Sequence, residues 1–233
     1  MLDIKIEGGT VVDGTGAPGF RAGVGITDET IAVIGDLTQE PAGLTLRASG
    51  LILAPGFIDM HSHSDWRLWA NCRAESKIRQ GVTTEIVGNC GFSPAPVNSS
   101  FREELLGFAL FLPEGMDFSW QTVREYLGRF EEGGSAVNLI QLVGHGTVRV
   151  AAMGFARRPP GDGELSQMKR LVAESLEGGA WGLSTGLIYA PGSYAETTEI
   201  VELARVAARN GGFYASHIRG ASSAESMGGL RLG

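Results

Sequence analysis

The sequence predicts an α/β protein in which a short all-β unit is followed by a parallel sheet whose strands alternate with helices. Three observations predict it. Residues 2–53 break into short apolar and β-branched runs separated by Gly and Asp turn signals. From Leu51 onward, similar runs alternate with segments whose apolar residues recur at helical spacing. All four histidines, together with Cys90, stand at or near the C-terminal ends of predicted strands in this second region, where parallel α/β barrels assemble their active sites.

Taken in order, LDIKI, GTVVDG, GVGIT, TIAVIGD and LTLRASGLILAP are the strands of the β unit, assigned to residues 1–53. LILAPGFIDMH then reads as the first strand of the parallel sheet, and WRLWANCRAESKIRQG as a helix stopped by Gly81. TTEIVGNC is the second strand. The stretch from Gly91 to Ser119, punctuated by Pro94, Pro96 and Pro113, reads as an insertion with a helical middle, FREELLGFAL. SWQTVREYLGRFEEGG sets Trp120, Val123, Leu127 and Phe130 on one helical face, with Ser119 as N-cap. VNLIQLVGH, AWGLSTGL and FYASHI are the third to fifth strands, and ELSQMKRLVAESLEGG and ETTEIVELARVAARNGG are the helices between them. His145 falls in VGHGTVR, read as a Gly-rich loop. This alternation implies right-handed crossovers, but it leaves both a closed barrel and an open doubly wound sheet standing. No GxGxxG follows the first strand, which weighs against a dinucleotide fold.

The composition bounds the function. With 233 residues, 43% of them hydrophobic, the chain is long enough for one sizeable core. A formal net charge of -7, with no run of Lys or Arg, excludes nucleic acid and anionic membranes as expected partners and leaves a small-molecule substrate. The opening MLDIKIEGGTVVDGTG lacks the basic start and apolar core of a signal peptide, and no apolar run is long enough to span a bilayer. Two cysteines in unrelated contexts, Cys72 and Cys90, make no disulfide framework, so a cytoplasmic location is expected.

In GFIDMHSHSD, side chains alternate faces along the strand, so His61 and His63 point one way and Ser62 the other. Two imidazoles aimed at one point indicate a metal. Imidazole with a thiolate from Cys90 is a donor set that suits zinc, whereas magnesium or calcium asks for carboxylates. The competing reading of Cys90 is a small buried hydrophobe, and Cys72, inside a helix, is packing. His145 and Asp65 are placed behind the ligands or against substrate. Tyr189, after the fourth strand, is either a donor to a developing oxyanion or a loop-packing aromatic. Arg149 and Arg219 are weaker candidates for a substrate carboxylate.

These residues carry a family resemblance. APGFIDMHSHSD resembles the first-strand signature of the amidohydrolase superfamily, whose members place a small β-sandwich segment before a (β/α)8 barrel of the TIM type. GVTTEIVGNCGFSPAP, LVGHGTVR, GAWGLSTGLIYAPGSYAETTEI and YASHIRG are similar to the D-aminoacylase group, the N-acyl-D-amino-acid deacylases. The resemblance implies an incomplete barrel of about five strands over residues 54–220, with Cys90 and His217 as zinc ligands and His61 and His63 as an adjoining, weaker metal position, for one or two zinc ions. It implies Tyr189 near the scissile carbonyl, and hydrolysis of an N-acyl-D-amino acid to a carboxylate and a free D-amino acid. The family's next metal-binding histidine and its catalytic aspartate lie on later strands. Residues 221–233, ASSAESMGGLRLG, read as a disordered or frameshifted tail, and the chain as a truncated product of impaired activity, with an open barrel edge exposed for pairing with another chain. The alternatives are another amidohydrolase, of the hydantoinase or dihydroorotase kind, and a non-catalytic fragment.

Overall fold

The computed structural model describes residues 1–109, 112–113, 115–116 and 119–219. The expected tail at 221–233 lies outside the described residues. By its internal contacts the chain divides into Met1–Gly56 and Phe57–Gly233.

The first unit contains β1 (Leu2–Glu7), β2 (Thr10–Val11), β3 (Phe20–Arg21), β4 (Gly23–Thr27), β5 (Thr30–Gly35), β6 (Ala42–Arg47) and β7 (Ile52–Leu53). They form two sheets, one in the order β5-β4-β1-β6 and one in the order β3-β2-β7. Residues of both, among them Ile6, Val24, Val11 and Leu53, line a mostly apolar cavity of about 400 Å³. LILAPGFIDMH is therefore two strands. Ile52–Leu53 pairs with β2, and the chain re-enters a strand only at Phe57, because Pro55 lacks a ladder donor.

The second unit is built on five parallel strands, β8 (Phe57–Asp59), β9 (Val82–Val87), β10 (Asn138–Gly144), β11 (Gly182–Gly186) and β12 (Phe213–His217). Each neighbours the next in sequence order, which makes the sheet a curled part of a (β/α) barrel rather than a doubly wound sheet. Its helices are α1 (Asp65–Ala70), α2 (Glu75–Ile78), α3 (Arg102–Phe108), α4 (Val123–Gly133), α5 (His145–Met153), α6 (Asp162–Glu177) and α7 (Thr197–Arg209). Val143 and Leu183 of the sheet join Met168, Val172 and Leu203 of α6 and α7 in one buried cluster. Burying each such side chain contributes roughly 1.5–3 kcal/mol.

Three local expectations change. The helix over WRLWANCRAESKIRQG is split into α1 and α2, with Ala74 at φ +41° between them. The N-cap of α4 is Thr122 rather than Ser119, because Thr122 accepts from Glu125 N and the Glu125 side chain accepts from Thr122 N in return. VGHGTVR is not a loop. Its histidine begins α5, whose residues are buried all round, so no amphipathic stripe marked it as a helix. Among the described residues, no helix is long and apolar enough to cross a membrane.

Candidate metal centre

Beyond β8 the chain is fixed from behind. Asp59 accepts from His61 N at 3.1 Å, and Ser62 N donates to Ile86 O at 3.1 Å. Ser62 Oγ and Ser64 Oγ each donate to Glu85 Oε1 at 2.8 Å. Lys77 lies 2.6 Å from Asp59 and 2.9 Å from Glu85, whose side chain is wholly buried. Ser62 is thus held toward β9, and His61 and His63 turn to the opposite side with ring centroids 5.3 Å apart. Burial, followed by the neighbouring charges of His61 and His217, holds the His63 imidazole below its ordinary pKa.

Cys90 arrives by an unusual backbone path. Gly88, Cys90 and Gly91 have φ of +76°, +54° and +79°, so the turn after β9 is left-handed, a conformation that costs a side-chain-bearing residue about 1–2 kcal/mol. Strain of this kind marks functional sites when the surroundings enforce it. Here Asp65 Oδ2 accepts from Gly88 N at 3.1 Å, Gly91 N donates to Ser184 Oγ at 3.0 Å, and Thr147 N donates to Gly91 O at 3.2 Å. The turn therefore lies across the ends of β10 and β11. Gly144 and Gly186 make room for it, since a methyl group on either would collide with the carbonyl oxygen of Gly91 or Cys90. We expect Gly186→Ala to push the turn away, lowering zinc affinity at least tenfold in a chelator competition while the far-ultraviolet spectrum stays native.

The result is that side chains from the two edges of the sheet converge. Cys90 Sγ lies 3.3 Å from His61 Nε2 on the β8 side and 3.5 Å from His217 Nδ1 on β12. One ligand atom each of His61, His63 and Cys90 falls within 4.8 Å of the others. A zinc ion bonded tetrahedrally to a thiolate and an imidazole separates the two donor atoms by roughly 3.6 Å, so these spacings fit it. Burial pushes the Cys90 thiol above its ordinary pKa, so a metal must displace a proton to bind there. The Tyr189 hydroxyl is 3.4 Å from His217 Nδ1, and its ring is 5.4 Å from that of Phe92.

The other expected residues stand apart from this group. His145 is wholly buried, with Nε2 2.8 Å from Glu199 Oε1, and Arg149 donates to Glu199 Oε2 at 2.6 Å. Both side chains are wholly buried. Asp65 is buried as well, and burial raises its carboxyl to about 7 against the pull of the Gly88 and Trp66 N–H groups. Its part is to tie the histidine stretch to the cysteine turn. Arg219 points at main-chain carbonyls. Sequence reasoning missed Glu85, Lys77, Ser184 and Glu199. A signal existed for the last, because Glu199 shares the buried face of α7 with Leu203 and Ala207 at i+4 and i+8.

The model of the amidohydrolase family matches residues 46–229. The chain belongs to the amidohydrolase family. Within that family, this amidohydrolase is 45% identical over 223 residues to the N-acyl-D-glutamate deacylase of Alcaligenes xylosoxydans xylosoxydans, a match covering 94% of this chain and 44% of the relative. Among solved structures it superposes on the N-acyl-D-glutamate deacylase of Bordetella bronchiseptica, complexed with zinc and a phosphonate mimic of the tetrahedral intermediate. That match has a TM-score of 0.84 and 40% identity, over 94% of this chain and 45% of the other. It superposes equally, at TM-score 0.84 and 38% identity over 94% of this chain and 46% of the other, on a D-aminoacylase studied for its binuclear metal centre. The chain thus spans less than half the length of these relatives.

Proposed function

We propose that this amidohydrolase carries the zinc-binding part of an N-acyl-D-amino-acid deacylase, which cleaves the amide C–N bond to give a carboxylate and a free D-amino acid. The observation that carries the reading is the convergence of Cys90 with His61 at 3.3 Å and His217 at 3.5 Å, on a chain 45% identical to a relative named for that reaction. His61, His63, Cys90 and His217 would hold one or two zinc ions. Zinc, when bound, supplies Lewis-acid activation of water and of the amide carbonyl.

The chain's own residues do the rest. Tyr189 has a hydroxyl on the metal side of its loop, from where it can donate to the carbonyl side of a bound amide. Phe92, buried and stacked on Phe108 with centroids 4.4 Å apart, packs edge-on against the half-buried His63 ring at 6.2 Å. Cyclic-amide hydrolases are disfavoured, because the thiol of Cys90 stands between the two histidine positions where those enzymes use a modified lysine.

The 233-residue chain covers 44% of the relative's length, and its edge residues Phe57, Ile58, Phe213 and Tyr214 are exposed. The test is hydrolysis of N-acetyl-D-glutamate and its L-enantiomer by the zinc-loaded chain, with and without a C-terminal fragment of the Alcaligenes relative. Zinc-dependent, D-selective release of amino acid supports the reading. No such release even from the complemented chain, with zinc bound, overturns it.

A further inference from the structure

Tyr189 is 39% exposed, and its hydroxyl has one described partner, His217 Nδ1. Its ring packs against Phe92 and, edge-on, against His217, with centroids 5.4 and 5.1 Å apart, and where it meets them follows from the loop that carries it. That loop leaves β11 at Leu187, bends so that Ser193 N donates to Tyr189 O at 2.7 Å, and reaches Ala195 before α7.

Both ends of the loop are held by β12 and the residues that follow it. Leu187 N donates to His217 O at 3.0 Å, which continues the ladder. Two residues further along, Arg219 Nη1 donates to Leu187 O at 3.5 Å and to Ser193 O at 3.1 Å, and Nη2 donates to Ala195 O at 2.7 Å. Among the described residues, no carboxylate lies within ion-pair distance of Arg219. Its guanidinium, a rigid planar fork, is thus directed at three main-chain carbonyls eight residues apart in the chain.

We propose that Arg219 is a positioning residue: by clasping residues 187 to 195 it sets the Tyr189 hydroxyl against His217. Three of its five N–H donors are directed at the loop, which gives it this part in place of that of a substrate-carboxylate ligand. The end of β12 then supplies a candidate metal ligand, His217, and the segment just after it, through the Arg219 clasp, the placement of the phenol beside it. The catalytic meaning rests on the reading of Tyr189 given above, but the placement itself does not.

The protein has four histidines, so a long-range proton–nitrogen spectrum of the labelled, metal-free chain resolves each imidazole. Arg219→Ala is expected to move the His217 ring signals in the same direction as Tyr189→Phe, and the double substitution to add nothing to Tyr189→Phe. His145, buried against Glu199, is expected to stay put in all three. Amide exchange over residues 187–195 is expected to rise at least tenfold in Arg219→Ala. If His217 is unmoved by Arg219→Ala, or by Tyr189→Phe, the proposal is wrong; unchanged loop exchange overturns it as well. Should Arg219→Ala not fold, Arg219→Gln, which keeps a single donor group, reads the same signals. None of these measurements needs metal or turnover, so a chain that fails to hydrolyse amides bears on the proposed function and leaves this test intact.

Discussion

Cys90→Ala is expected to lower zinc affinity by more than ~100-fold. Losing even a group that only supports a ligand typically costs 10–100-fold, and Cys90 is the side chain that faces both the His61 and the His217 positions. The pH dependence should change with it. Burial raises the Cys90 pKa, so the metal-free site holds a thiol, and zinc binding must release its proton. Wild-type affinity should therefore climb by about tenfold per pH unit below the thiol pKa, beyond whatever the histidines contribute. The alanine variant should lack that increment. Metal content by mass spectrometry, and chelator competition between pH 6 and 8, measure both effects. Equal zinc content in the two proteins would remove Cys90 from the ligand set.

Glu199→Gln should destabilise the second unit by about 3–5 kcal/mol, because it leaves the wholly buried Arg149 guanidinium without its counter-charge. At roughly 2–4 °C per kcal/mol for a chain of this size, that is a melting shift of about 10 °C. The acid limb should differ too. Burial by itself would raise the Glu199 carboxyl, but the hydrogen bond and charge of His145, then those of Arg149, outweigh it and hold the group below its ordinary value of 4.5. A depressed folded-state pKa contributes stability that is complete above the unfolded value and is lost as pH falls through the folded one. Wild type should therefore lose stability more steeply than Glu199→Gln below about pH 4.5. Urea melts at pH 7 and pH 3.5 measure both quantities. A change of under about 0.5 kcal/mol at pH 7 would show that the buried network does not hold α5 to α7.

How much of this was legible beforehand depends on the range of the interaction. Strand positions followed from local alternation, so β9, β10, β11 and β12 fall where the apolar runs put them. The same rule misjudged α5, since a helix buried on every side has no stripe to read. It also ran Leu51 to His61 together as one strand, because a break at Pro55 between two extended pieces leaves the apolar pattern almost unchanged. At the site, the i, i+2 spacing pointed to a shared side for His61 and His63, but β8 ends at Asp59, so strand alternation does not reach them and the bonds of Ser62 to Glu85 and Ile86 hold the stretch instead.

By itself, then, the sequence determined the α/β alternation, the strand-end placement of the four histidines and Cys90, and a donor set of imidazole and thiol. Only the tertiary structure decided which of them meet. His145 and His217 both stand at strand ends, yet one is sealed against Glu199 and the other lies 3.5 Å from Cys90. That choice depends on the curl of five strands and on a left-handed turn crossing over Gly144 and Gly186, contacts between residues some 50 to 130 positions apart. Local propensity carries no information about such contacts, because their free energy exists only once the sheet has closed around them.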